Sequence, residues 1–138
     1  IFFGILPPLP TITRYTFMGD VQNIARGMVP RVYGRSYAIE AEINVPKKGA
    51  EGVIMANGDF MGGYSLWVDG KGLLHHTYSF LGVEVYRQVS TEPLPAGDVS
   101  VKMLFEADEP KPGTPGKVTL WANDKQIGEG RLDKFLIE

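Results

Sequence analysis

At 138 residues, 43% of them hydrophobic and 22% charged, the chain is one domain's worth of ordinary globular sequence, long enough to bury about two-thirds of the surface it exposes when unfolded. A formal net charge of −2 excludes bulk attraction to nucleic acid or to anionic membrane. The absence of cysteine excludes disulfides, thiolate metal sites and a thiol nucleophile. The opening run Ile1-Phe2-Phe3-Gly4-Ile5-Leu6 is far shorter than the roughly 18–20 apolar residues that cross a bilayer, and it lacks the basic start of a signal peptide. The chain does not open on Met and closes on Phe135-Leu136-Ile137-Glu138, so both ends are expected to be cuts in a longer polypeptide. Asp20–Met28 is the best helical candidate, but Gly27 weakens it and an irregular loop or single turn is expected.

From Tyr37 onward the pattern is that of short strands. Tyr37, Ile39, Ala41, Ile43 and Val45 alternate with polar or small residues, a period of two that gives a strand one buried face. Gly52–Asn57, Tyr64–Asp69, Leu73–Tyr78 and Glu84–Ser90 follow, each bounded by Gly, Pro, Asn or Asp, with Asp69-Gly70-Lys71-Gly72 as a tight turn. After Pro95-Ala96-Gly97-Asp98 the alternation returns at Val99–Ala107 and again at Val118–Ala122, where Asn123-Asp124 signals a hairpin into Lys125–Leu132. Lys111–Gly116 is a loop inside this meander. Eight strands at spacings of about 8–12 residues predict a single all-β domain over residues 1–138, an antiparallel sandwich of jelly-roll type. Its expected core is Ile39, Ala41, Ile43, Val53, Leu66, Val68, Val101, Met103, Phe105, Val118 and Leu120.

Residues with chemistry to offer are few. His75 and His76 are the only histidines; neighbours on a strand point to opposite faces, so the two cannot form a metal site or a catalytic pair. Gly58-Asp59-Phe60-Met61-Gly62-Gly63 lacks the Lys-Ser/Thr and the helix that a phosphate loop needs, and reads as a bent strand connection. Glu40 and Glu42 share a strand face, as alternating residues on a solvated face do. Trp67 and Trp121 are out of phase with their aliphatic neighbours and are therefore expected on outer faces. Two readings fit them: contact with a neighbouring domain, or a sugar-stacking platform. No catalytic, cofactor or metal residue is assigned.

Ala50–Asp108, with Ala50-Glu51-Gly52-Val53, Gly62-Gly63-Tyr64-Ser65-Leu66, Phe80-Leu81-Gly82, and Glu92-Pro93-Leu94-Pro95 before Gly97, resembles the C-terminal region of bacterial arylsulfatases. Arg35–Glu42, Lys117–Leu120 and Gly128–Arg131 extend the likeness over most of residues 11–132. Ser79, where the family commonly has Asn, and the proline-rich Pro110–Pro115 depart from it. The resemblance implies a concanavalin- or laminin-G-like sandwich beside a catalytic domain that is absent here. The parent would hydrolyse sulfate esters with a formylglycine, made within Cys/Ser-x-Pro-x-Arg, and a calcium ion. No serine here is followed by x-Pro-x-Arg, so neither cofactor is placed in this chain. The expectations are an accessory domain without enzymatic activity, partnered by the catalytic domain of the same polypeptide, or alternatively a carbohydrate-binding module. The family usually continues for another strand or two, so an unpaired sheet edge that invites self-association is also expected. Nothing in the residues assigns a compartment.

Overall fold

The computed structural model describes residues 14–19, 21–24, 32, 35–59 and 62–135. The chain divides into two compact units, Ile1–Arg31 and Val32–Glu138. The described residues of the first contain neither helix nor strand, and Gly19 (φ 71°) and Asn23 (φ 55°) adopt left-handed backbone. Val21–Ile24 are therefore irregular, and the rest of the helical candidate Asp20–Met28 lies outside the described residues.

The second unit consists of eight strands: β1 (Tyr37–Val45), β2 (Gly52–Asp59), β3 (Gly62–Val68), β4 (Leu73–Phe80), β5 (Glu84–Pro93), β6 (Gly97–Ala107), β7 (Gly116–Ala122) and β8 (Lys125–Leu132). They form two four-stranded sheets. Sheet I has the order β1-β6-β7-β8 and sheet II the order β2-β3-β4-β5, all neighbours antiparallel. The fold is thus the all-β sandwich that the alternation predicts, with the eight strands where the turn residues bound them.

Turn chemistry sets the hairpins. Asn123 and Asp124 both have positive φ (48° and 63°), the backbone that lets a two-residue turn follow the twist of its strands. In the β3–β4 turn, Gly72 N–H donates to the Asp69 carbonyl (2.9 Å), and Asp69 Oδ1 accepts from the N–H groups of Lys71 (2.8 Å) and Leu73 (3.0 Å). One side chain thereby satisfies the backbone donors that the turn leaves over.

A single apolar core joins the inner faces. Leu66, Val68, Val101, Met103, Phe105, Val118 and Leu120 are buried in it, as the alternation predicts. At one end of the sandwich Phe135 stacks between Tyr78 (centroids 4.8 Å apart) and Phe105 (4.9 Å) and contributes to the core. Ile39, Ala41 and Ile43 are only half-buried, because β1 is the edge of sheet I.

Val53 departs from expectation: it is 68% exposed. It pairs with the outward-facing Trp67, and an irregularity between Val53 and Met55 lets Met55 pair with the inward Leu66. One extra residue in a strand inverts the parity of everything before it. Strand β5 is inverted along its centre, with Gln88 and Ser90 buried while Val85 (54%) and Val89 (40%) are exposed. The cause lies across the sandwich, where β8 presents Gly128 and Gly130. A Cβ on Gly130 would lie 2.6 Å from Gln88 Cγ, and one on Gly128 would lie 3.1 Å from the Val89 carbonyl oxygen. Glycine on β8 leaves room for the hydrogen-bonded Gln88 side chain and for the backbone of β5.

Candidate functional site

The two tryptophans do face outward, but from different sheets, so they do not form one platform. Trp67 belongs to sheet II. Its indole stacks on His75 (centroids 4.1 Å, planes 20° apart), and its Nε1–H donates to Thr77 Oγ1 (3.0 Å). His75 Nε2 meets Asp69 Oδ2 at 2.8 Å. That hydrogen bond, helped by those from Leu73 and Lys71 N–H and opposed by desolvation, holds the Asp69 carboxyl below its ordinary value. Trp67 is therefore fixed in place by a chain of contacts that begins in the β3–β4 turn.

The register defines the rest of this outer face. One row runs Val53, Trp67, His75, Val89; the next Ala56, Ser65, Thr77, Arg87; the third Gly58, Gly63, Ser79, Val85. Arg87 is the one Asp, Glu, Lys or Arg in these twelve positions. Large exposed valines on a face with so little charge make an apolar patch of the kind that another protein surface covers.

Trp121 lies on the outer face of sheet I, in different company. Its Nε1–H donates to Thr119 Oγ1 (2.9 Å), and Lys102 Nζ stands 5.3 Å from its ring centroid. Glu40, Ser100, Lys102, Trp121 and Asp124 line a hollow of about 110 Å³. Glu40 and Glu42 share this face as expected, Glu40 opposite Lys102 and Glu42 opposite Ser100. The face is charged and solvated, with Lys117 paired to Glu129 (3.2 Å) across β7 and β8.

His75 and His76 point to opposite faces. His76 is fully buried; its Nδ1 lies 2.8 Å from Gln88 Oε1, which can only accept, so Nδ1 carries the proton. Gln88 Nε2 in turn donates to the Arg131 carbonyl of β8 (3.4 Å). Ser90 Oγ accepts from Leu74 N–H (2.9 Å) and donates to the Glu92 carbonyl (2.8 Å). These contacts form a polar seam where the sheets close against each other. Burial holds the His76 imidazole below its ordinary value, against the opposing effect of the hydrogen bond that it donates to Gln88. Among the described residues no group of three or more His, Cys, Asp or Glu is placed to hold a metal ion. Gly58 and Gly63 pair within the β2–β3 hairpin, where a Cβ on Gly63 would lie 2.3 Å from the Asn57 carbonyl oxygen; these glycines serve close backbone approach.

Sequence reasoning missed the apolar character of the sheet II face. Its signal was present in β5, where Val85 and Val89 alternate with Tyr86, Gln88 and Ser90, but parity alone does not say which set turns inward. Asp69 as the anchor of His75, and Lys102 as the cation over Trp121, were equally invisible, since each depends on a strand pairing. Compared with protein-family models, with curated proteins and with solved structures, the chain matches none.

Proposed function

We propose that this chain is a non-catalytic accessory domain, and that it packs through the outer face of sheet II against the catalytic domain of the same polypeptide, a bacterial arylsulfatase. The observation that carries this reading is that face: Val53, Val85, Val89 and the braced Trp67, with Arg87 as the one Asp, Glu, Lys or Arg among its twelve paired positions. The residues that carry the arylsulfatase resemblance lend support, since Ala50–Asp108 runs through all of sheet II and on through β6. The concanavalin- or laminin-G-like sandwich that the resemblance implies belongs to the same proposal. Formylglycine chemistry has no seat in this chain, which lacks both cysteine and Ser-x-Pro-x-Arg. The test compares hydrogen exchange in the isolated 138 residues and in the full-length gene product. Strands β2 and β5 should gain protection in the longer protein while the sheet I edge stays unchanged. Equal exchange in both, or turnover of an aryl sulfate by the isolated chain, overturns the proposal.

A second reading, carbohydrate binding, is favoured by the Trp121 hollow, where an aromatic ring is flanked by carboxylates, a hydroxyl and an amine, the groups that stack on a sugar ring and bond its hydroxyls. It predicts glycan-array hits that Trp121→Ala abolishes and Trp67→Ala leaves intact. Hits that survive Trp121→Ala defeat it, as does an array without hits.

A further inference from the structure

We propose that the end of the sandwich opposite Phe135 is a binding site for a small organic anion with an apolar body. The two ends are built differently. One is filled by the stack of Phe135 on Tyr78 and Phe105. At the other, the β1–β2 connection, the β3–β4 turn and the end of β5 surround a cavity of about 430 Å³, within the range of about 300–1,000 Å³ typical of small-molecule sites.

Its floor is aliphatic, formed by Val45, Val68 and Leu94, all buried. Its charged lining residues are Lys48, Lys71 and Glu51, one net positive charge that matches a single anionic group. Neither lysine has an ion-pair partner among the described residues, whereas Lys111, Lys117, Lys125 and Lys134 each contact a carboxylate. Both are presented by turns that are already ordered. Gly49 N–H donates to the Pro46 carbonyl (2.8 Å) beside Lys48, and Asp69 Oδ1 holds the N–H of Lys71. Gly49 and Gly72 have φ of 88° and 80°, values that glycine adopts without strain. A Cβ on Gly70 would come within 3.0 Å of Glu51 Oε2, so glycine there leaves the Glu51 side chain room at the rim. This site lies apart from both outer faces and does not depend on the accessory-domain reading.

The test is an NMR titration of the 138-residue chain with naphthalene-2-sulfonate, with 2-naphthol as the neutral control and inorganic sulfate as the anion without an apolar body. Saturable shifts are expected at the amides of Lys48–Glu51, Gly70–Gly72 and Leu94, weaker for both controls. Because the lysines are exposed, Lys48→Ala and Lys71→Ala should leave the thermal melt unchanged while each lowers affinity by up to about fivefold, and the double variant should bind as weakly as the neutral control does. Absence of saturable shifts, shifts confined to the Trp121 face, or equal affinity in the double variant overturns the proposal.

Discussion

The outer faces of the two sheets follow the same alternation and end with opposite characters. Sheet I turns Glu40, Glu42, Lys102, Lys117, Glu129 and Arg131 to solvent around Trp121. Sheet II turns Val53, Val85 and Val89 outward around Trp67. The difference arises on the inner side. Sheet I has an apolar inner face, so its polar residues are left to face water. In sheet II, glycines of β8 leave room for β5, the hydrogen-bonded Gln88 and Ser90 occupy the interior, and the valines of β5 have only the outer face to occupy. An outer face is thus partly a consequence of what the opposite side of its strands must accommodate.

The most damaging way to break this comparison is to remove the core that both faces share. Phe105→Ala should cost about 3–5 kcal/mol, as truncation of a buried aromatic does, and chemical denaturation should then show one earlier, still cooperative transition. Two separate transitions would mean that the sheets are not one folding unit. Gly130→Ala tests the origin of the inversion. Its Cβ would collide with Gln88, which cannot withdraw without releasing His76 and the Arg131 carbonyl, so a loss of about 1–3 kcal/mol is expected. An unchanged denaturation midpoint would show that the close approach of β5 and β8 is not what excludes the valines.

The seam also predicts a pH dependence. The folded pKa of His76 lies below its value in the unfolded chain, about 6.5, because burial disfavours the charged form. Between those two values the unfolded state binds more protons, so stability is fully present above about pH 6.5 and is lost as pH falls below it. The carboxyls of Asp69 and Glu84, whose folded pKa values are also lowered, give up their contributions at more acidic pH, nearer the ordinary carboxylate range. Thermal melts between pH 7 and 5 should therefore fall, and His76→Gln should remove that part of the slope; a parallel fall in the variant would place the effect elsewhere. The smallest effect sharpens the comparison most. Val89→Lys should change the stability of the isolated chain by no more than about 0.5 kcal/mol, as exposed substitutions do, yet weaken association with a covering domain. A large loss in the isolated chain would show that Val89 is already part of a packed interior.

Much of this was legible in the residues. The alternation from Tyr37 to Val45 and from Val99 to Ala107 marked β1 and β6, and Asn123-Asp124 marked the turn between β7 and β8, because period and turn chemistry act over a few neighbouring residues. The outward direction of Trp67 and Trp121, and the opposite directions of His75 and His76, were legible for the same reason. That the two tryptophans lie on different sheets and share no platform was not, since sheet membership depends on pairing between distant strands. Val53 was misplaced because an irregularity of one residue carries no local signal in this stretch.

By itself, then, the sequence determined that eight strands form and to within about three residues where each lies, which side chains of a strand share a face, and that cysteine chemistry is excluded; these follow from local sterics, side-chain periodicity and composition. Only the tertiary structure decided which face of β2 and β5 turns inward, that Trp67 is braced by His75 and Asp69 while Trp121 lies beside Lys102, and that one end of the sandwich is plugged by Phe135 while the other is lined by Lys48 and Lys71. Those outcomes depend on which distant backbones come close enough to leave no room for a side chain, a condition that no window of neighbouring residues contains.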